Sequence, residues 1–95
     1  MEEIVQKFIL FLEKDKRLSL NTLQSYRRDI EQYISYLKEI NLHNIMNTNK
    51  TTVITYLLHL QKKGRAVSTI SRNLASIRSL YQYMYKNSMI DSDPT

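Results

Sequence analysis

The chain has 95 residues, no cysteine, one glycine, one proline and a formal net charge of +5. This length suits one domain with its own core, and the lack of cysteine excludes disulfides and thiolate metal sites. With so little glycine and proline, the composition excludes glycine-rich phosphate loops and nucleophile elbows and favours helices over strand-and-turn folds.

The excess positive charge lies in the C-terminal half. Residues 1–39 carry seven bases and seven acids, whereas residues 41–89 carry seven bases and no acid. A positive field without internal neutralisation attracts polyanions, and the Ser, Thr, Asn and Tyr residues among these bases can hydrogen-bond phosphates and base edges. The pattern therefore favours nucleic-acid binding over an ordinary basic helical domain.

The first predicted helix covers about residues 2–16 and is apolar on more than one face. Ile4, Phe8 and Phe11 share one face, whereas Ile9 and Leu10 point away from it. Such a helix is either deeply buried or meets a second partner. Both readings stay open, and we expect at least one of Ile9 and Leu10 to be exposed in the monomer as part of a subunit interface.

A second predicted helix is capped by Ser19 or Asn21 and ends near Glu39. Its apolar stripe runs from Leu23 to Leu37, and the Asn-rich segment 41–49 that follows is predicted to be a connector. Polar residues lie away from the centre of the stripe: Asn21, Thr22, Ser25, Arg28, Asp29 and Gln32.

The third predicted helix covers about residues 50–63 and can be capped by Thr48 or Asn49, and Gly64 follows where a left-handed residue ends many helices. Lys62 and Lys63 suit the negative end of this helix dipole.

The fourth predicted helix is capped by Ser68 and ends near Asn87. Its core stripe comprises Ile70, Leu74, Ile77, Tyr81 and Met84. The outer face has no acid, unlike an ordinary exposed helix, so we expect it to lie against phosphates. That face is predicted to contain Arg72, Ser76, Ser79 and Tyr83, bordered by Thr69, Asn73 and Arg78 and extended by Lys63, Arg65 and Ser68.

No catalytic, cofactor or metal motif occurs in the sequence. His43 and His59 are isolated, and the acids show no arrangement suited to general acid–base chemistry. The acidic Glu2 and Glu3 argue against a signal peptide, and the longest apolar run is too short to cross a membrane. We therefore expect a cytoplasmic protein without cofactor, metal, membrane anchor or catalytic residue.

Two segments carry a family resemblance. They are residues 19–30 (SLNTLQSYRRDI), continuing to Leu37, and residues 68–81 (STISRNLASIRSLY), ending in Asp93, Pro94 and Thr95. Together they resemble the N-terminal core-binding domain of tyrosine recombinases, the phage integrase and Xer-like group. The resemblance covers nearly the whole chain.

The resemblance implies an all-α fold, a four- to five-helix orthogonal bundle of the SAM-like type. Residues 1–88 would form the DNA-binding domain, and residues 89–95 would begin a linker to a catalytic domain that this chain lacks. The implied partners are double-stranded DNA, clamped on one face, and neighbouring recombinase subunits. The second and fourth helices would approach the major groove and the first helix would meet a neighbouring subunit, while the isolated domain is expected to be monomeric.

The candidate DNA contacts have two origins. Motif position implies Thr22, Arg28, Arg72 and Arg78, and helical period adds Ser25, Lys63, Arg65, Ser68, Thr69, Asn73 and Ser76. Arg72 is expected at the centre of this surface, where its replacement would leave folding nearly intact. Two alternatives remain: a protein-interaction bundle with a basic face, and a helix-turn-helix regulator that uses the short connection 64–67.

Overall fold

The computed structural model describes residues 1–95 and contains four α-helices and no strand. The helices are α1 (Glu2–Lys14), α2 (Leu20–Glu39), α3 (Lys50–Lys62) and α4 (Val67–Lys86), with a 3₁₀ turn at Ile45–Asn47 in the connector. The predicted all-α class and helix order are confirmed. No helix is both long enough and apolar enough to cross a membrane.

Side chains cap two of the helices as their sequences predict. Ser19 Oγ accepts the Thr22 N–H at the start of α2, and Asn49 forms a reciprocal capping box with Thr52 at the start of α3. Gly64 ends α3 with φ +78°. The predicted Ser68 cap is wrong, because α4 begins at Val67 and its N-cap, two residues before Ser68, is Ala66, which makes no side-chain cap bond.

The two 20-residue helices, α2 and α4, pack against each other; α1 packs against α2, and α3 against α4. Their contact buries one core of 18 hydrophobic residues. Phe8, Ile30, Leu37, Ile77 and Met84 are among its fully buried members. This arrangement places the N-terminal half of α2 beside the N-terminal half of α4.

The buried face of α4 matches the predicted stripe at Ile77, Tyr81 and Met84 but departs from it in the N-terminal half of the helix. Ile70 and Leu74 are only half-buried, whereas the polar residues Asn73 and Ser76 are buried. Asp29, expected on the polar side of α2, is also fully buried. Asp29 and Ser76 are buried for the same reason, because the Ser76 hydroxyl donates a hydrogen bond to the Asp29 carboxylate across the α2–α4 contact.

The two apolar candidates on α1 differ in environment. Ile9 is buried in the core, so its assignment to a subunit interface is corrected. Leu10 is 50% exposed, as we expected for at least one of the pair. The α1 core face is Val5, Phe8, Ile9 and Leu12; it packs against α2, and the Phe8 ring also contacts Tyr83 of α4.

Candidate nucleic-acid interface

A buried polar cluster joins α2 to α4 at the centre of the predicted surface. The Asp29 carboxylate accepts the Arg72 Nε–H at 3.1 Å and the Nη2–H at 2.9 Å. Ser76 Oγ donates a third hydrogen bond to it at 2.9 Å. A buried carboxylate requires such hydrogen bonds, because burying its charge without a partner costs on the order of several kcal/mol.

Arg72 is thus anchored to α2 by an ion pair, whereas we expected a surface residue whose replacement leaves folding nearly intact. Its side chain remains 45% exposed, so part of the guanidinium still faces solvent. Ser76 and Asn73 are withdrawn from the outer surface by burial. The Asn73 amide donates to the Thr69 carbonyl at 2.9 Å, and its Oδ1 is buried without a partner.

The other predicted basic contacts are exposed. Arg28, Lys63, Arg65 and Arg78 form no ion pair, since the salt bridges of the chain are Arg27–Glu31, Lys38–Glu2 and Arg72–Asp29. Their charges are therefore uncompensated by contact. The remaining hydroxyl candidates are also accessible: Thr22 and Ser68 are exposed, and Ser25 and Thr69 are partly buried.

Three of these bases share one groove between α2 and α3. Arg28 lies on the α2 wall, and Lys63 and Arg65 lie where α3 ends. The groove has a volume of about 500 Å³. Its lining also includes Gln24, Gln32, Glu31 and Glu39 of α2. The tertiary structure therefore brings together bases that are about 35 positions apart in the sequence, whereas Arg78 lies outside this groove.

Aromatic residues absent from the predicted contacts also line this groove. The Tyr36 and His59 rings are tilted with centroids 4.9 Å apart, and Tyr56 packs beside both. The Tyr56 hydroxyl is buried without a partner. Burial raises the pKa of Tyr56 to about 12, the Asp29 charge adds to this shift, and the Arg65 charge opposes it.

Asp29 is fully buried, although its position in the helical period of α2 predicted a polar surface residue. The sequence contained an indication of this pairing, because residues 41–89 include no acid that could pair with Arg72. An arginine on a partly buried helix face then requires a carboxylate from another helix. No group of three or more His, Cys, Asp or Glu side chains could hold a metal ion.

Comparisons with known proteins agree with the helical architecture. The family model described as the phage integrase, N-terminal SAM-like domain matches residues 5–88. A Caldanaerobacter subterraneus protein that is provisionally named a tyrosine recombinase is 43% identical over 99% of this chain and 32% of its own length. Tyrosine recombinase XerD of Halalkalibacterium halodurans is 40% identical over 96% of the chain and 31% of its own length.

A more distant relative is tyrosine recombinase XerC of Herpetosiphon aurantiacus, which is 30% identical over 100% of the chain and 31% of its own length. No solved structure matches the chain. The chain spans about a third of the length of the curated relatives it matches. The family match over most of the chain shows that this protein belongs to the phage integrase N-terminal SAM-like family of tyrosine recombinases.

Proposed function

We propose that this chain is the DNA-binding module of a site-specific tyrosine recombinase and clamps one face of the recombination site. The observation that carries this proposal is the cluster of uncompensated bases, Arg28, Lys63 and Arg65, along one groove. Neutralising DNA phosphates with such bases releases condensed counterions, which drives sequence-independent binding.

Further exposed groups widen the proposed interface beyond the groove. Thr22 lies in the first turn of α2, while Ser68 and Thr69 lie in the first turn of α4. Free N–H groups and the positive end of the helix dipole favour phosphate at such positions. Side-chain hydroxyls and helix N-termini position a protein on duplex DNA without reading its sequence.

The proposed division of labour separates binding from chemistry. Residues 1–88 form the DNA-binding unit, and residues 89–95 begin the connection to the part of the parent recombinase that breaks and rejoins DNA. We propose that this chain has no cleavage activity of its own, because its sequence carries no catalytic motif, and that it acts on DNA in the cytoplasm.

The proposed contact with a neighbouring recombinase subunit involves Leu10 alone of the two α1 candidates. An isolated leucine that is 50% exposed is common on monomer surfaces, so the effect of Leu10→Ala on subunit assembly must be measured directly. Residue Ile9 supports the same helix from within the core.

Titration of a labelled duplex with the chain at two salt concentrations tests the proposal. We expect Kd of roughly 10⁻⁴–10⁻⁶ M and an affinity that decreases linearly with salt on logarithmic axes. Polyglutamate of similar length serves as the control polyanion, and strong preference for it over DNA would favour a protein-interaction module. Salt-insensitive DNA binding, or no binding at low salt, would contradict the proposal.

Incubation of the chain with supercoiled plasmid tests the proposed absence of cleavage. We expect the plasmid to stay supercoiled. Reproducible relaxation that co-purifies with the chain would place recombination chemistry within these 95 residues and overturn the division of labour.

A further inference from the structure

The Asp29–Arg72 pair uses only one edge of the guanidinium. Nε and Nη2 each donate one hydrogen bond to the Asp29 carboxylate. An arginine side chain has five N–H groups in a planar fork. Both Nη1–H groups and the second Nη2–H have no acceptor in the chain.

The unused groups form a second fork. One Nη1–H and the free Nη2–H point in parallel from the end of the guanidinium, opposite the Nε–H that Asp29 occupies. The side chain is 45% exposed whereas Asp29 is fully buried, so the occupied edge faces the protein and the free end faces solvent. Such a fork fits a ligand with two adjacent acceptors, either guanine O6 and N7 or two phosphate oxygens.

Charge favours guanine over phosphate as the acceptor. The negative charge of Asp29, in direct contact, offsets most of the positive charge of Arg72. A phosphate gains more from the uncompensated Arg28, Lys63 and Arg65 of the adjacent groove. The neutral guanine edge depends on the direction of its two hydrogen bonds and less on net charge, so the compensated arginine suits it better.

Preorganisation supports the same assignment. Arg72 donates two hydrogen bonds to a carboxylate that is itself held by Ser76, and these bonds fix the plane of the guanidinium before DNA arrives. An arginine fixed in this way loses less side-chain entropy on binding and tolerates fewer ligand positions. Fixed direction contributes to sequence discrimination, whereas a flexible surface cation supplies mainly attraction.

We propose that Arg72 reads a guanine in the major groove of the recombination site and that Asp29 is its positioning residue. This inference rests on the proposed DNA-binding function and adds a specificity-determining residue to it. Arg72 thereby differs from Arg28, Lys63 and Arg65, which attract the DNA backbone irrespective of sequence.

Selection from a randomised duplex library provides the test. We expect the wild-type chain to enrich sites with guanine at one position, and replacement of that guanine by adenine to weaken binding by about 5–150-fold. Replacement by 7-deazaguanine, which lacks the N7 acceptor, should also weaken binding. This probe uses the wild-type protein and so does not depend on the folding of any variant.

Arg72→Lys and Asp29→Asn then separate positioning from a purely structural role. Arg72→Lys keeps the charge but removes the fork, so the guanine preference should disappear while binding to other duplexes and its salt dependence stay near wild type. Asp29→Asn frees Arg72 and raises the net charge, so binding at low salt should strengthen while the guanine preference decreases. Lys86→Arg, the reverse exchange at an exposed α4 base without an ion pair and outside the candidate contacts, should retain the preference.

The possible outcomes test the base-reading role of Arg72 separately from the DNA-binding function. Duplex binding without any guanine preference, or insensitivity to 7-deazaguanine, would overturn the role of Arg72 and leave the DNA-binding function intact. An equal loss of affinity for all duplexes in Arg72→Lys would identify a phosphate contact and also overturn it. Absence of duplex binding by the wild-type chain at low salt would overturn both the function and this inference.

Discussion

The hydroxyl groups of Tyr33 on α2 and Tyr81 on α4 lie 2.8 Å apart inside the core. Tyr81 Oη also lies 2.6 Å from Thr48 Oγ1, which in turn donates to the Ile45 carbonyl at 2.7 Å. The two central helices and the connector are therefore joined by one buried hydrogen-bond chain. Burial is the largest cause that raises the pKa of both tyrosines, and their mutual repulsion when ionised adds to the shift of Tyr33.

These raised pKa values predict a loss of stability in alkali. Above about pH 10 the tyrosines of the unfolded chain ionise, whereas Tyr33 and Tyr81 keep their protons in the folded chain. The unfolded state then binds fewer protons, so the free energy of unfolding decreases as pH rises, by up to about 1.4 kcal/mol per pH unit for each group. Urea unfolding at several pH values from about 9 to 11.5 measures this slope.

A pair of phenylalanine substitutions isolates the tyrosine contribution from that of the lysines, which titrate in the same range. Tyr33→Phe removes one buried ionisable group and should make the decrease with pH shallower. Tyr85→Phe, at a position 51% exposed, should leave the slope unchanged. Identical slopes in all three proteins would show that buried tyrosine ionisation does not govern alkaline unfolding.

The Asp29–Arg72 pair predicts an asymmetric pair of stability changes. Arg72→Ala leaves a buried carboxylate with only Ser76 as donor, and we expect a loss of about 3 kcal/mol, the lower end of the range for breaking buried pairs because Arg72 is partly solvated. Asp29→Ala lets Arg72 turn into solvent and should cost less, about 1–2 kcal/mol. This predicted loss replaces the expectation from the sequence that Arg72→Ala leaves folding nearly intact.

A double-mutant cycle by urea unfolding checks this asymmetry. Adding Asp29→Ala to Arg72→Ala removes the orphaned carboxylate and should restore part of the lost stability. Arg78→Ala is the surface control and should change the free energy of unfolding by about 0.5 kcal/mol or less. Additive losses in the double mutant would contradict the coupling between Asp29 and Arg72.

The position of a base, and not only its charge, should determine its contribution to DNA binding. Arg65→Ala and Lys7→Ala each remove one positive charge. Arg65 lines the α2–α3 groove, whereas Lys7 lies at an exposed position of α1 outside the groove. Arg65→Ala should weaken binding similarly on all duplexes and lower the salt slope by about one. Fluorescence titrations at several salt concentrations compare the two, and equal losses would indicate only a diffuse charge effect.

The neighbouring residues Ile9 and Leu10 should differ sharply in their importance to the monomer. Ile9→Ala opens a cavity in the core and should cost about 2–5 kcal/mol, whereas Leu10→Ala should cost about 0.5 kcal/mol or less. Denaturant unfolding measures both values. A subunit-assembly defect caused by Leu10→Ala would then reflect the interface itself, while a large loss of monomer stability would argue against an interface role.

Local chemistry in the sequence determined the helices of this protein. The Ser19 and Asn49 caps, Gly64 after α3 and the apolar periods lie within a few residues of the structure they specify, so their effects require no distant partner. The acid-free segment is equally a property of sequence alone, and it established the sign of the charged surface. The motifs at residues 19–30 and 68–81 were sufficient to indicate the family, because each retains its local spacing.

Tertiary structure alone decided which polar residues of those helices are free to bind. Asp29 and Arg72 lie 43 positions apart, and helical period treats each as an ordinary surface residue. When α2 packs on α4, their opposite charges meet where the Asp29 carboxylate is fully buried, and α4 turns Ser76 inward to complete the carboxylate's hydrogen bonds. The gathering of Arg28, Lys63 and Arg65 along one groove likewise depends on the angle between α2 and α3, which no local pattern encodes.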